Sequence, residues 1–418
     1  MIRTSTLPFG ALVATESMAD ARSVSLGFWV GTGSRDETPE QAGLSHVLEH
    51  LLFKGTEERS PTAIAEALDE VGGDCNAYTT KEYTAFYIRL LAEHLDLGLD
   101  ILSDIMWRPA LRPRDLDAER SVILDEILMH QDEPADAAVT RSTELLFPGH
   151  PLGREVLGTE ASVSGFAASD VRAFFDDHYR PGNLVVAAAG ALAHEQVADG
   201  LAARYRGPAG GGAPRREPPG PGTEPLGVVR RATEQAHLVV ATRAVDRHDD
   251  RRYALSVVDH VLGGGLSSRL FQEIRERRGL AYSVWSEFVP YADTGTLTVG
   301  VATAPEHVPT VLGLIGETLA AVAADGVTER ELAIAKGNLR AEALLAHEDP
   351  GSRMGRLGAG LLLHGAVLTV DEQLERVERV TLDDVAAVAA AVLGRDRTLS
   401  VVGPFDPDRF DATAVGIG

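Results

Sequence analysis

The chain has 418 residues, of which 44% are hydrophobic and 24% are charged, and this usage excludes a disordered or fibrous protein. Its length favours two domains of roughly 200 residues each. With 62 acidic and 39 basic side chains the formal net charge is −23, which argues against a nucleic-acid-binding surface.

The first half of the chain mixes strand-like and helix-like segments. Ser60 followed by Pro61 is typical of a helix start, because serine accepts a hydrogen bond from the first turn and proline suits the first helical position. Hydrophobic periodicity predicts strands at residues 24–30, 74–80, 84–91 and 183–192, and helices at 42–53, 61–70, 113–131 and from 193 to about 205.

Residues 207–225 read GPAGGGAPRREPPGPGTEP, in which neither a helix nor a buried strand could persist. We therefore predict a linker there, between an N-terminal domain at 1–206 and a C-terminal domain at 226–418. After the linker the same order of elements returns, and residues 260–264 (HVLGG) echo HVLEH at 46–50. This indicates a duplication in which glycines stand in the second copy where the first has Glu49 and His50.

The elements of the second half are predicted in the same way: strand 237–242, helices 252–262 and 268–277, two strands, several helices, and a closing strand at 398–402. Neighbouring strands of hairpin type, interleaved with helices, favour an α+β fold over a doubly wound parallel sheet. We expect two homologous domains, each a mainly antiparallel sheet covered by helices.

A single cysteine, Cys75, excludes an intrachain disulfide framework and suits a reducing compartment. The N-terminus shows no signal-peptide pattern, and we expect no apolar stretch of the ~20 residues that a membrane helix needs. The predicted location is the cytoplasm, with no membrane partner.

The segment His46-Val47-Leu48-Glu49-His50 carries the clearest chemical signal. On a helix His46 and His50 project from one face about a turn apart, so that both imidazoles can reach one metal ion. Neutral imidazole suits Zn²⁺, and Glu49 could take a proton from a water whose pKa zinc lowers to about 7. The spacing is that of the inverzincin signature. The alternative is a pair of exposed helix histidines beside a glutamate.

The predicted helix at 113–131 offers a third ligand. Glu119 and Glu126 are two turns apart on the same side, so one could bind the metal and the other could support a ligating histidine. The residues alone leave open the alternative that Glu119 and Glu126 lie on a solvated helix face and bind no metal.

Five blocks in order identify a family resemblance: GLSHVLEHLLFKGT, GGDCNAYTTKEYT, ERSVILDEI, HYRPGNL and SSRLFQEIRERRGLAYSV. The chain resembles the pitrilysin/insulinase-type inverzincin zinc metallopeptidases, and among them the two-domain branch that includes the mitochondrial processing peptidase. The resemblance implies that each chain forms half of a clamshell chamber and hydrolyses peptide bonds with metal-activated water. It also implies one Zn²⁺ per chain, held by His46, His50 and Glu126, with Glu49 as general base and Glu119 in the outer shell.

The resemblance also implies how a substrate is held. An extended peptide would add to a sheet edge at Asn76 and Ala77, where main-chain hydrogen bonds give affinity without reading sequence. Phe53 resembles the residue that lines the pocket after the scissile bond. The alternatives are an ordinary internal strand for residues 76–77 and core packing for Phe53. The acidic charge either keeps the protein soluble or favours basic peptides.

In the second half Arg275 and Tyr282 match the family's arginine and tyrosine pair, which would stabilise charge on the substrate oxygen. In the two-domain branch this half faces the zinc site of a partner chain. Because one chain carries both half-sites, we expect a homodimer, with a heterodimer of related chains as the alternative. The alternative function is a catalytically weak or structural subunit of a processing-peptidase-like complex; a module that only captures peptides is a third reading.

Overall fold

The computed structural model describes residues 2–410, so residues 411–418 of the predicted second domain lie outside it. The strands are β1 (Ile2–Thr6), β2 (Leu12–Ser17), β3 (Ser23–Val30), β4 (Asp74–Thr79), β5 (Thr84–Leu91), β6 (Leu184–Gly190), β7 (Leu226–Arg230), β8 (Ala236–Ala244), β9 (Ala281–Pro290), β10 (Gly295–Thr303) and β11 (Arg397–Gly403). 

The α-helices of the first half are α1 (Leu44–Leu52), α2 (Pro61–Asp69), α3 (Leu95–Trp107), α4 (Pro113–Asp132), α5 (Pro134–Leu146), α6 (Glu160–Gly165), α7 (Ala168–His178) and α8 (His194–Arg204). Those of the second half are α9 (Arg252–Asp259), α10 (Val308–Asp325), α11 (Glu329–Ala346), α12 (Pro350–His364), α13 (Val370–Glu378) and α14 (Leu382–Leu393).

The first sheet has six strands in the order β1-β2-β6-β3-β5-β4. All neighbours are antiparallel except β2 and β6, which run parallel. The central strands β3 and β6 are buried on both faces, which explains why their sequences are largely apolar and do not alternate. β4 forms an edge of this sheet, and its side chains alternate between exposed and half-buried.

The two faces of the first sheet pack against different helices. One face packs into the main core, which includes Leu48 of α1 and Phe174 of α7. On the opposite face Trp29 of β3 packs against Leu357 of α12. A Cβ atom at Gly358 would lie 2.3 Å from the Trp29 ring, so only glycine allows α12 to approach the sheet this closely.

The second sheet repeats this plan with five strands in the order β7-β11-β8-β10-β9. Only β7 and β11 run parallel. One face packs into a core with α9, α10 and α14, and on the other Ala138 of α5 packs against Val239 and Val402. The predicted α+β fold with two sheets of similar build is confirmed.

Each compact unit contains one helix from the other half of the chain. The first unit comprises residues 1–127, 155–216 and 344–369, and the second comprises 128–154, 217–343 and 370–418. In the first unit Glu16 accepts hydrogen bonds from Arg353 (2.9 Å) and Arg356 (2.8 Å) of α12. The predicted ranges 1–206 and 226–418 did not anticipate that α5 belongs to the second unit and α12 to the first. An apolar helix face does not specify which sheet the helix will cover.

The Gly/Pro-rich segment 207–225 makes specific hydrogen bonds in both units. In the first unit Arg216 donates to Asp36 at 2.7 and 2.8 Å, and the Gly210 amide donates to the Phe9 carbonyl at 3.2 Å. In the second unit the Gly222 carbonyl accepts from Arg243 at 2.8 Å. The segment lacks regular structure as predicted, but its backbone is fixed at these points.

The sequence was expected to contain no apolar stretch long enough to cross a membrane, but one helix is that long. Residues Pro305–Asp325, with a mean hydropathy of 1.4 in their most apolar window, could span a membrane by length and composition alone. Val311, Ile315 and Val322 of this stretch are buried in the second core. A buried core helix passes the same test, so this is weak evidence for a membrane span.

Candidate metal centre

Helix α1, which carries His46 and His50, is fixed at its start by a buried carboxylate. Glu37 accepts from the amides of Gly43 (2.8 Å) and Ser45 (2.7 Å), two donors that the helix itself leaves without partners. Gly43 has a φ of +99°, and a Cβ there would lie 2.8 Å from a backbone oxygen, which explains the glycine. 

Helix α4 presents its two predicted carboxylates at different depths. Leu116, Ile123 and Ile127 are buried with helical spacing and hold the helix on the first core. Glu119 lies on the same stripe and its side chain is only 7% exposed, whereas the Glu126 side chain is 43% exposed. The helix therefore places Glu119 inside the protein and Glu126 at the mouth of the site.

The structure brings the three predicted ligands together. The Nε2 atoms of His46 and His50 lie 3.6 and 3.5 Å from the same oxygen of Glu126. One ligand atom from each residue lies within 4.8 Å of the others, and within residues 2–410 no other group of His, Cys, Asp or Glu meets this criterion. Two imidazoles and one carboxylate match the donor set of a catalytic zinc site, which leaves a coordination position for substrate or water.

A chain of polar contacts through the buried Glu119 supports His50. Its Nδ1 lies 3.1 Å from Glu119 Oε2, and the Lys54 ammonium lies 2.8 Å from Glu119 Oε1. With Nδ1 protonated, the ring donates a hydrogen bond to Glu119, and the Nε2 lone pair would be available to bind a metal ion. The sequence reasoning missed Lys54; its position four residues after His50, about one helical turn, is a signal that could have found it.

The two histidines have opposite pKa shifts. Burial lowers the pKa of His46 to about 4, and the proximity of His50 adds to this, against the opposing charges of Glu126 and Glu155. Burial also lowers the pKa of His50, but hydrogen bonds to Glu126 and Glu119 outweigh it and raise the pKa overall. His46 therefore offers a neutral nitrogen because it is buried, whereas His50 depends on its carboxylate partners.

Glu49, the predicted base, lies on α1 beside His50. Burial raises its pKa, while the hydrogen bond from Thr79 acts in the opposite direction. The Thr79 hydroxyl donates to Glu49 Oε2 at 2.5 Å. Thr79 was also missed; it ends β4, the strand on which Asn76 and Ala77 were predicted to hold substrate.

The predicted substrate residues lie on and beside this edge strand. The Ala77 amide donates to the Asn76 side chain at 2.8 Å, so Asn76 covers the backbone donor next to it. Phe53 follows the last residue of α1, is half-buried, packs against the first core and lies 6.0 Å from Phe86 between ring centroids. Both readings of Phe53, as a core residue and as a pocket residue, fit this partial exposure.

Arg275 and Tyr282 form a pair within the second unit. Arg275 donates to the Tyr282 carbonyl at 2.9 Å, and its guanidinium carbon lies 4.3 Å from the Tyr282 ring centroid. The Tyr282 side chain is exposed at 77%. Arg275 belongs to a π-helix, Phe271–Arg277, and Gly279, with a φ of +61°, leads into β9 as predicted for a helix end.

Residues 260–264 (HVLGG), which resemble HVLEH of the first half, lie in a backbone arrangement that leaves no room for a residue like Glu49. The helix predicted at 252–262 becomes a π-helix at His260–Gly264. A Cβ at Gly263, the position that corresponds to Glu49, would lie 2.5 Å from the Ser286 amide of β9. The close approach of β9 therefore excludes any side chain at the position that corresponds to Glu49.

Two family models match successive parts of the chain. The model of the insulinase family of peptidases, family M16, matches residues 12–160, and one described as the peptidase M16 inactive domain matches residues 165–339. An uncharacterized zinc protease of Streptomyces coelicolor is 42% identical over 411 residues, which cover 96% of this chain and 90% of that protein. One of Bacillus subtilis is 37% identical over 406 residues, with coverage of 97% and 98%.

Two solved structures share the fold over nearly the whole chain. A peptidase M16 inactive domain from Pseudomonas fluorescens has a TM-score of 0.90 at 23% identity, covering 97% of this chain and 98% of that one. A protease from Helicobacter pylori has a TM-score of 0.88 at 20% identity, with coverage of 97% and 99%. At this identity the structures establish the fold, and the sequence matches establish the family: the chain belongs to the insulinase family of peptidases, family M16.

Proposed function

We propose that the chain is a zinc-dependent metalloendopeptidase that hydrolyses extended peptides. One observation carries the proposal: ligand atoms of His46, His50 and Glu126 converge within 4.8 Å, with Glu49 on the same helix as the two histidines. Relatives whose names read zinc protease support this class of reaction.

His46, His50 and Glu126 would hold one zinc ion per chain. When bound there, zinc would lower the pKa of a water molecule and polarise the substrate carbonyl. Glu119 keeps the His50 ring in the orientation that this site needs.

Glu49 is the proposed general base. Its carboxylate accepts a proton from the water that attacks the scissile carbonyl, and passes the proton to the departing amine. Thr79 binds one carboxylate oxygen and thereby leaves the other to carry the proton. Because burial raises the pKa of Glu49, the carboxylate is a better match to a proton transfer near neutral pH.

The edge strand β4 is the proposed platform for the substrate. An extended peptide would pair with the backbone at Asn76 and Ala77, which requires the Asn76 side chain to release the Ala77 amide. Phe53 would favour an apolar residue after the scissile bond. The net charge of −23 gives weak support to a preference for basic peptides.

Arg275 and Tyr282 are proposed to act on the site of a second protomer. Both carry hydrogen-bond donors suited to the negative charge that develops on the substrate oxygen. A homodimer would then place two complete sites in one assembly; a heterodimer with a related chain is the alternative. A cytoplasmic location remains a prediction.

Cleavage of a panel of fluorogenic peptides, with a chelator and then with zinc restored, tests this function. We expect the chelator to abolish cleavage and zinc to restore it, in a species whose solution mass is that of a dimer. Cleavage that persists in the chelator would contradict the proposal. A protein that binds zinc and cleaves no peptide would support the structural-subunit alternative.

A further inference from the structure

Lys54 contacts the metal centre through Glu119 and has no role in the function proposed above. It lies two residues after the last residue of α1, and its amide donates to the Leu51 carbonyl at 3.0 Å, so its backbone is fixed at the helix end. Its ammonium lies 2.8 Å from Glu119 Oε1. The negative end of the α1 dipole favours a cation at this place.

An ordinary surface ion pair would carry little weight, because water screens it and two flexible side chains must be ordered. The Lys54 side chain is 39% exposed, but that of Glu119 is only 7% exposed. Both Glu119 oxygens are engaged, one by Lys54 and the other by His50. Removal of the ammonium would leave a buried carboxylate oxygen without its cation.

The bridge also joins the two helices that supply the metal ligands. His50 and Lys54 belong to α1 and the turn after it, whereas Glu119 belongs to α4, two turns before Glu126. When Glu119 is held by both groups, α4 is fixed in the register at which Glu126 Oε2 lies within 3.6 Å of both imidazoles.

We propose that Lys54 is a positioning residue of the metal centre. It fixes the Glu119 carboxylate, which in turn presents His50 Nε2 and Glu126 to one ion. The proposal rests on the proposed zinc site, but it concerns metal affinity and not peptide cleavage. Lys54 touches neither the ion nor the substrate.

Zinc titration of the metal-free full chain against a competing chromophoric chelator tests this role. We expect Lys54→Met to weaken zinc binding by about 10- to 100-fold, the usual effect of losing an outer-shell partner. Lys54→Arg keeps the charge and should recover most of the affinity. The Co²⁺-substituted Lys54→Met protein should show an altered visible spectrum, which loss of fold stability alone would not produce.

The chain contains three lysines, Lys54, Lys81 and Lys336, and the third provides a matched control. Lys336 donates to the Glu378 carbonyl in the second unit, so Lys336→Met removes a lysine hydrogen bond without touching the centre. This variant should bind zinc as the wild type does.

A double-mutant cycle with Glu119→Gln separates action through Glu119 from an independent effect. If Lys54 acts through Glu119, Lys54→Met should cost little affinity once Glu119 is replaced. Additive losses would overturn the proposal, as would wild-type zinc affinity in Lys54→Met. If Lys54→Met folds poorly, Lys54→Gln takes its place in the cycle. A wild type that binds zinc but cleaves no peptide would count against the proposed function, but it would not affect the proposal that Lys54 positions the metal ligands.

Discussion

The two histidines of the proposed metal centre are held by different means. His50 Nδ1 has Glu119 as a partner, while His46 Nδ1 is buried and has no hydrogen-bond partner within residues 2–410. Burial is the main reason that His46 is neutral, and with the proximity of His50 it lowers the pKa to about 4. The orientation of His46 therefore depends on packing around α1, and that of His50 on a polar chain that reaches Lys54.

Thr79 tunes the proposed base, and its removal should shift the pH dependence of catalysis. The Thr79 hydrogen bond opposes the rise that burial causes in the pKa of Glu49. In Thr79→Val the pKa should rise further, and because a base must be ionised, the acidic limb of kcat/KM should move to higher pH. Thr79→Ser keeps the hydroxyl and should leave the limb in place. An unmoved limb in Thr79→Val would contradict this role.

At the residue scale, the sequence predicts which side chains share one face of a helix, because helical spacing is known in advance. His46 and His50 could be paired because a four-residue step places them on one face of a helix, whereas the choice of Glu126 over Glu119 as the third ligand came from the family resemblance. Thr79 escaped notice because its contact with Glu49 spans 30 residues of chain. A threonine at a strand end has many ordinary roles, and only the fold reveals which one applies.

At the scale of elements, the start of α1 is a further determinant of the site. Glu37→Ala would leave the amides of Gly43 and Ser45 buried without an acceptor, which costs about 1–3 kcal/mol in unfolding free energy. We expect this loss in chemical denaturation, together with weaker zinc binding, because α1 carries both imidazoles. Glu66→Ala, at an exposed position of α2, should change neither quantity. Equal stability of Glu37→Ala and the wild type would refute the capping role.

The strand β4 shows what sequence can and cannot say about an element. Its alternating pattern predicts a strand at residues 74–80, and the structure has one at Asp74–Thr79. Its position at the sheet edge was implied only by the family resemblance, because pairing partners depend on contacts distant in sequence. For the same reason the sequence could not predict that β9 lies so close to Gly263 that this position of the second half has no room for a side chain.

At the scale of the whole molecule, the exchange of α5 and α12 makes each half depend on the other. A fragment of residues 1–206 would carry α5 without the sheet that it covers and expose Trp29 without α12. We expect this fragment to aggregate or to bind a hydrophobic dye strongly. Addition of residues 344–369 through a flexible linker should reduce dye binding, whereas a scrambled version should not. A stable, monomeric 1–206 fragment would contradict this dependence.

The duplication and the α+β class could be predicted because each half repeats the same order of elements along the chain. The exchange could not be predicted, since α5 and α12 have apolar faces that would suit either sheet. Residues 207–225 contain no helix or strand, as their Gly/Pro content predicts, but the hydrogen bond from Arg216 to Asp36 in the first unit was not expected.

Glu49→Gln tests the central claim most directly, because it removes the base and leaves the three ligands in place. Zinc content and peptide cleavage are measured on the same preparation of variant and wild type. We expect about one zinc per chain in both proteins, as the donor set predicts, and cleavage in the wild type alone. Cleavage by Glu49→Gln at the wild-type rate would show that Glu49 is not the base and that the proposed mechanism is wrong.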